Sequence, residues 1–218
     1  MVSQEGIGTR EARPFLERVA STDPVPGGGS VAAVMCALAA ALGEMVARIT
    51  ASKPKYEEVR PEMETIASAA EALRAQALDL AEADSAAYER FMEALRLPKE
   101  TDEDRERRKE AMSAAADHAA VVPIQICEVA LEALDYLRVV LKKGLPTAST
   151  DVASGAVAAE AALRAASLTA LSNLSSIDDA DRRRELEETC RDLLERGRSA
   201  STSIETEVRR ELLGGLDE

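Results

Sequence analysis

Apolar residues recur at spacings of three and four along almost the whole chain, and no stretch alternates apolar and polar residues as a half-buried strand would. That spacing gives each segment one apolar stripe, and other helices are what cover such stripes. The pattern predicts an all-α fold: one domain over residues 1–218, a helical bundle of about six to seven helices.

Punctuation divides the chain. A short helix is expected over about residues 12–20, then a loop over 21–29, then a helix over about 30–50 that Lys53-Pro54-Lys55 breaks. Pro61 stands at a tolerated first-turn position of a long helix that reaches Leu95, where Leu97-Pro98-Lys99 ends it. Thr101-Asp102-Glu103-Asp104 reads as a capped start for a helix to about Val121. Pro123 is expected to break or kink the pattern. A further helix then runs to Lys143, with Lys142 and Lys143 in its last turn and Gly144 and Pro146 stopping it. Ser149-Thr150-Asp151 opens an Ala-rich helix to about Leu174, and Asp178-Asp179 opens the last, to about Leu213. The mixed charges of Glu100–Glu110 read as a solvated helix start.

Aromatic residues make up 2% of the chain and Trp is absent, so Ala, Leu, Val and Met must fill the core. A net charge of −13 argues against nucleic acid or an anionic membrane as partner, though not against a small anion held locally. Cys36, Cys127 and Cys190 lie far apart without metal-ligand spacing, which predicts free buried thiols and a cytoplasmic protein. Met1–Arg13 is polar and carries no signal peptide pattern. Val31–Gly43 is apolar, but Glu44 and Arg48 follow within the same helix, which suits a core helix better than a membrane span.

The densest local signal is Pro24-Val25-Pro26-Gly27-Gly28-Gly29-Ser30, running straight into that apolar helix. Three consecutive glycines are costly to order, and they let backbone approach another surface closely. A helix N-terminus also offers unpaired N–H donors and a partial positive charge, a place for a carboxylate, a phosphate or a polarised carbonyl. The simpler alternative is a turn that lets the helix pack tightly. Neither a P-loop nor a dinucleotide fingerprint fits: Val31 follows Ser30, and no strand precedes the glycines.

Along residues 61–95 the stripe reads Ile66, Ala70, Leu73, Ala77, Leu80, then Tyr88, Phe91 and Leu95, and Asp84 fills the gap. A carboxylate on an apolar seam is expensive unless paired or protonated. Burial raises its pKa, which makes Asp84 a candidate general acid; the alternative is a place at the stripe's edge where it caps something, or a pairing with an Arg. Asp151, at a helix start, and Asn173, in an Ala/Leu-rich helix, are further polar candidates with ordinary structural explanations. With His118 the only histidine, histidine-based metal or Cys-His chemistry is not expected.

Taken together, four segments resemble the cyclodeaminase/cyclohydrolase family of folate enzymes. They are Pro24–Ser30 with the helix ending Met45–Thr50, Ala83–Tyr88 followed by Leu97-Pro98-Lys99, Val122-Pro123-Ile124, and Thr150-Asp151 with Ser172-Asn173-Leu174. The resemblance covers about residues 10–210. It implies an all-helical domain that forms a homodimer and binds tetrahydrofolate derivatives as substrate, with no metal and no redox cofactor. Asp84 matches the family's proton donor, and Pro26, Gly27, Gly28, Gly29 and Ser30 the folate pocket. Asp151 and Asn173 match polar positions of the pattern, and Lys53 is expected to meet the polyglutamate tail. The implied activity is methenyltetrahydrofolate cyclohydrolase, with formimidoyltetrahydrofolate cyclodeaminase or a non-catalytic folate-binding dimer as alternatives; a chain without a formiminotransferase domain fits the first more readily. Departures from the pattern at Ser52–Lys55, Thr169-Ala170 and Ser175-Ser176 bear on substrate preference.

Overall fold

The start signals of the sequence are used as capping predicts. In the computed structural model, which describes residues 10–214, Thr101 Oγ1 accepts from the Asp104 N–H at 3.0 Å while the Thr101 N–H donates to Asp104 Oδ2 at 3.2 Å. Asp179 Oδ1 accepts from the N–H groups of Asp181 and Arg182 at 2.9 and 3.1 Å. The resulting helices are α1 (Arg13–Val19), α2 (Gly28–Ala51), α3 (Arg60–Leu95), α4 (Asp102–Lys143), α5 (Ser149–Leu174) and α6 (Ala180–Gly214). Short 3-10 turns over Pro54–Val59 and Pro146–Ala148 join α2 to α3 and α4 to α5. Every regular element among the described residues is helical, as the spacing predicts. The polar N-terminal stretch lies outside the described residues up to residue 9.

α2 is the central helix, packed on α3, α4 and α5, while α6 covers α4 and α5. α2 and α5 run antiparallel. Gly28 faces Thr169 at one end, Gly155 faces the Ala39 carbonyl midway, and at the other end Thr50 Oγ1 accepts from the Leu145 N–H at 3.0 Å. Small residues bring the axes together. The fully buried Leu137 of α4 inserts between Gly43 and Gly155, where an added Cβ at 155 would meet its methyls at 3.0 and 3.2 Å. All three cysteines are free and buried.

By length and hydropathy α2 would qualify as a membrane span; here most of it is enclosed by its neighbours. Its charged residue Glu44 is buried at 9% exposure and balanced twice, accepting from Arg48 Nε and Arg74 Nε at 2.9 Å each.

Two expectations are corrected. Pro123 does not break the chain: α4 is one helix of 42 residues with Pro123 inside it. A proline withholds the N–H that would reach the carbonyl four residues back, here that of Ala119. The Asn173 side chain supplies the substitute, Nδ2 donating to Ala119 O at 2.9 Å. The stripe of α3 also changes character after Leu80. Tyr88 and Leu95 are 38% and 37% exposed, and Ala87 and Ala94 take the buried positions. A seam repeating at seven residues drifts around a helix of ~3.6 residues per turn. The drift turns Asp84 and Tyr88 toward an open cavity, while Phe91 lines that cavity and also packs against the core.

Candidate active site

The glycines enter α2 itself. Gly27 is the N-cap, and Gly28 and Gly29 are the first two helical residues. The first helical bond runs from the Val31 N–H to Gly27 O at 3.0 Å, so the N–H groups of Gly28 and Gly29 precede it and have no helical acceptor. They open onto a cavity of about 340 Å3. Asp84, Tyr88 and Phe91 of α3 form one wall, and Thr169, Ser172 and Asn173 of α5 another. Ala119 of α4 and the loop residues Pro24 and Val25 complete it.

Asp84 leans directly on the start of α2. A Cβ at position 29 would lie 2.0 Å from Asp84 Oδ1 and 2.5 Å from its Cγ, so glycine there is what makes room for the carboxyl. Ser30, 1% exposed, sits behind it. Its Oγ lies 3.0 Å from Asp84 Oδ2, 3.1 Å from Ala81 O and 3.2 Å from Ser85 Oγ. One hydroxyl proton thus has three oxygens in reach, the Asp84 carboxyl, the Ala81 carbonyl and the Ser85 hydroxyl. Ser30 donates to Asp84 when the carboxyl is ionised, and to Ala81 O while accepting from Asp84 when it is protonated. Burial pushes the Asp84 carboxyl above its ordinary range, and the hydroxyl and backbone N–H of Ser30 pull part of the way back. A half-buried carboxyl with raised proton affinity and a neighbour that satisfies both its forms is suited to delivering and reclaiming a proton.

The structure gathers Asp84, Gly27, Gly28, Gly29 and Asn173 around this cavity, with Ser30 directly behind Asp84. Pro26 is buried beneath the loop, after a cis peptide, and does not line the cavity. Lys53 and Asp151 are not brought there. Lys53 is exposed beyond the far end of α2, whose 24 residues span about 36 Å, and Asp151 is in the first turn of α5. The antiparallel pairing of the two helices sets both at the end opposite the glycines. His118 is exposed, its Nε2 at 3.0 Å from Arg90 Nη1. The described residues contain no group of three or more His, Cys, Asp or Glu placed to hold a metal ion.

Sequence reasoning assigned no role to Tyr88 and Phe91 as cavity walls. The available signal was their rarity: the chain has three Tyr and two Phe, and two of these five follow Asp84 within seven residues. It also missed the pairing of Asn173 with the Ala119 carbonyl, which no spacing rule encodes.

The family model described as formiminotransferase-cyclodeaminase matches residues 11–192. A methenyltetrahydrofolate cyclohydrolase of Methylorubrum extorquens is 34% identical over 79% of this chain and 83% of its own length. A formimidoyltransferase-cyclodeaminase of Gallus gallus is 30% identical over 92% of this chain, which spans 37% of that larger protein. A crystal structure of formiminotetrahydrofolate cyclodeaminase from Thermotoga maritima superposes with a TM-score of 0.81, at 28% identity, over 98% of this chain and 100% of that one. The matched residues carry the glycine-led helix, Asp84 and the α5 wall, so the site lies wholly within the shared part, and the chain belongs to the formiminotransferase-cyclodeaminase family.

Proposed function

We propose that this chain is a folate one-carbon enzyme, a methenyltetrahydrofolate cyclohydrolase with Asp84 as its general acid. The observation that carries the reading is the Asp84 carboxyl, half-buried on the cavity wall against Gly29 and Ser30 with its proton affinity raised. Similarity to the bacterial cyclohydrolase over most of both chains supports the choice of reaction. Water bonds to the bridge carbon of the 5,10-methenyl cation and releases a proton. The carbon–N5 bond then breaks, N5 takes its proton from Asp84, and the one-carbon unit remains on N10 as formyl. Asp84 recovers a proton from the adding water, so one proton is released net. The free N–H groups at Gly28 and Gly29 suit a ligand carbonyl or carboxylate.

The likeness to the Thermotoga protein over nearly the whole chain favours a second reading, cyclodeamination. There N10 attacks the formimino carbon, its proton passes to the formimino nitrogen, and Asp84 gives that nitrogen a second proton as the carbon–nitrogen bond breaks and it leaves as ammonia. One absorbance experiment separates the two. Loss of the methenyl chromophore faster than in buffer supports the cyclohydrolase, and its appearance from formiminotetrahydrofolate supports the cyclodeaminase. No change with either substrate refutes both.

The same reading includes a homodimer. α2 leaves an apolar stripe outside the bundle, with Leu38, Met45 and Ile49 at 57%, 37% and 36% exposure. Two copies pairing these stripes antiparallel about a two-fold axis would set one copy's Lys53 and Asp151 end beside the other's glycine end. Sedimentation velocity tests it: a dimer for the parent and a monomer for Leu38→Glu support the pairing, and a monomeric parent refutes it.

A further inference from the structure

The chain contains a single asparagine, and both hydrogens of its amide are committed. Asn173 Nδ2 donates to Ala119 O at 2.9 Å and to Thr169 O at 3.0 Å. Because both acceptors are carbonyl oxygens, the amide has one orientation; turned over, Oδ1 would face two oxygens. The Ala119 carbonyl is available because Pro123, four residues on, has no N–H to give it. Proline is the least favourable residue in a helix interior, so its place here calls for a compensating use.

The other polar side chains of the α5 wall behave alike. Thr169 Oγ1 donates to Ala165 O at 3.2 Å, and Ser172 Oγ donates to Thr169 O at 2.8 Å. All three groups that α5 lends to the cavity spend their hydrogens on backbone carbonyls and face a ligand as acceptors. Across the cavity stand the N–H donors of Gly28 and Gly29 and the carboxyl of Asp84.

We propose that Pro123 is a positioning residue: by leaving the Ala119 carbonyl open it locks Asn173 as an acceptor, and the α5 wall thereby selects the N–H edge of a ligand. The ligand's identity rests on the folate reading. On that reading the edge is the amino and ring N–H side of a 2-amino-4-oxo heterocycle, with its carbonyl side toward the glycine N–H groups. The lock itself is a property of the free protein.

The test has two parts. The first follows hydrogen exchange of the Asn173 side-chain amide by NMR in ligand-free protein, with the exposed Gln76 and Gln125 as internal references. Asn173 is expected to exchange about three- to tenfold slower than the glutamines, as one or two net hydrogen bonds imply. In Pro123→Ala, where residue 123 regains an N–H that competes for Ala119 O, the difference is expected to close. The substitution introduces a better helix former but empties part of a fully buried site, so a thermal melt accompanies it to establish that the variant is folded. Equal exchange in the parent, or protection unchanged in the variant, overturns the lock. The second part is steady-state kinetics with the folate substrate. Pro123→Ala is expected to raise KM about three- to tenfold while kcat stays within about twofold, and to have no further effect in an Asn173→Ala background. Additive effects, or a change confined to kcat, overturn the positioning role. A parent with no folate turnover refutes the proposed function, and the exchange measurement still decides the lock.

Discussion

Gly29→Ala puts one methyl group where the Asp84 carboxyl now lies. The new Cβ would stand 2.0 Å from Oδ1, against 3.4 Å where ordinary contact begins, a deficit of 1.4 Å. The backbone of α2 is held by the central packing, so the carboxyl must move, and with it the 3.0 Å contact to Ser30. Misplacing a catalytic group by about 1 Å costs about 100-fold, or ~2.7 kcal/mol of transition-state stabilisation. Folding is perturbed less. Overpacking costs about 1–3 kcal/mol, and alanine in place of a helical glycine returns about 0.5–1 kcal/mol. At about 2–4 °C per kcal/mol for a chain of this size, the melting temperature falls by no more than about 10 °C. The assay is methenyl absorbance at saturating substrate, paired with a thermal melt. The expected result is kcat down about 100-fold in a folded protein, with no further loss when the substitution is added to Asp84→Asn. A folded Gly29→Ala enzyme with kcat within about threefold of the parent would refute the claim that catalysis depends on Asp84 resting against α2.

Asp84→Asn is expected to lower kcat at least about 100-fold while folate binding, read by fluorescence titration, stays within a few-fold. Its stability effect has a definite sign. The folded-state pKa lies above the ordinary 3.8, so the proton's contribution is complete below pH 3.8 and fades as pH rises through the folded-state value. The amide carries no such loss, and at neutral pH the variant should melt no lower than the parent; a clearly lower melt contradicts this. Glu44→Ala leaves Arg48 and Arg74 without their shared partner; both side chains reach solvent, so the expected cost in urea unfolding is about 1–2 kcal/mol. Burial pushes the Cys36 thiol up to about 12 and raises those of Cys127 and Cys190 as well. Ellman's reagent at pH 8 should therefore leave all three unlabelled in native protein for minutes and label all three after denaturation, and rapid native labelling would contradict the packing.

What was legible in the sequence followed from local physics. Helix periodicity, the Thr101 and Asp179 caps and the stops at Gly144 and Pro146 act within one or two turns, and each is used where expected. Asp84 was visible because one carboxylate interrupts an apolar stripe, and the glycines because three in a row at a helix start are costly without a contact to serve. Tertiary structure decided what depends on residues far apart in the chain. Only the approach of α3 to α2 shows that Gly29 is shaped around Asp84, 55 residues away. Only the antiparallel run of α2 and α5 separates Lys53 and Asp151 from the cavity while delivering Asn173 to it. Pro123 shows the difference most plainly. Alone it is a helix breaker, because it lacks an N–H. In the fold a side chain from α5 supplies that hydrogen bond across 54 residues, and the helix continues. Sequence patterns encode the preferences of a segment, but a missing hydrogen bond can be made good by any neighbour, and packing alone chooses the neighbour.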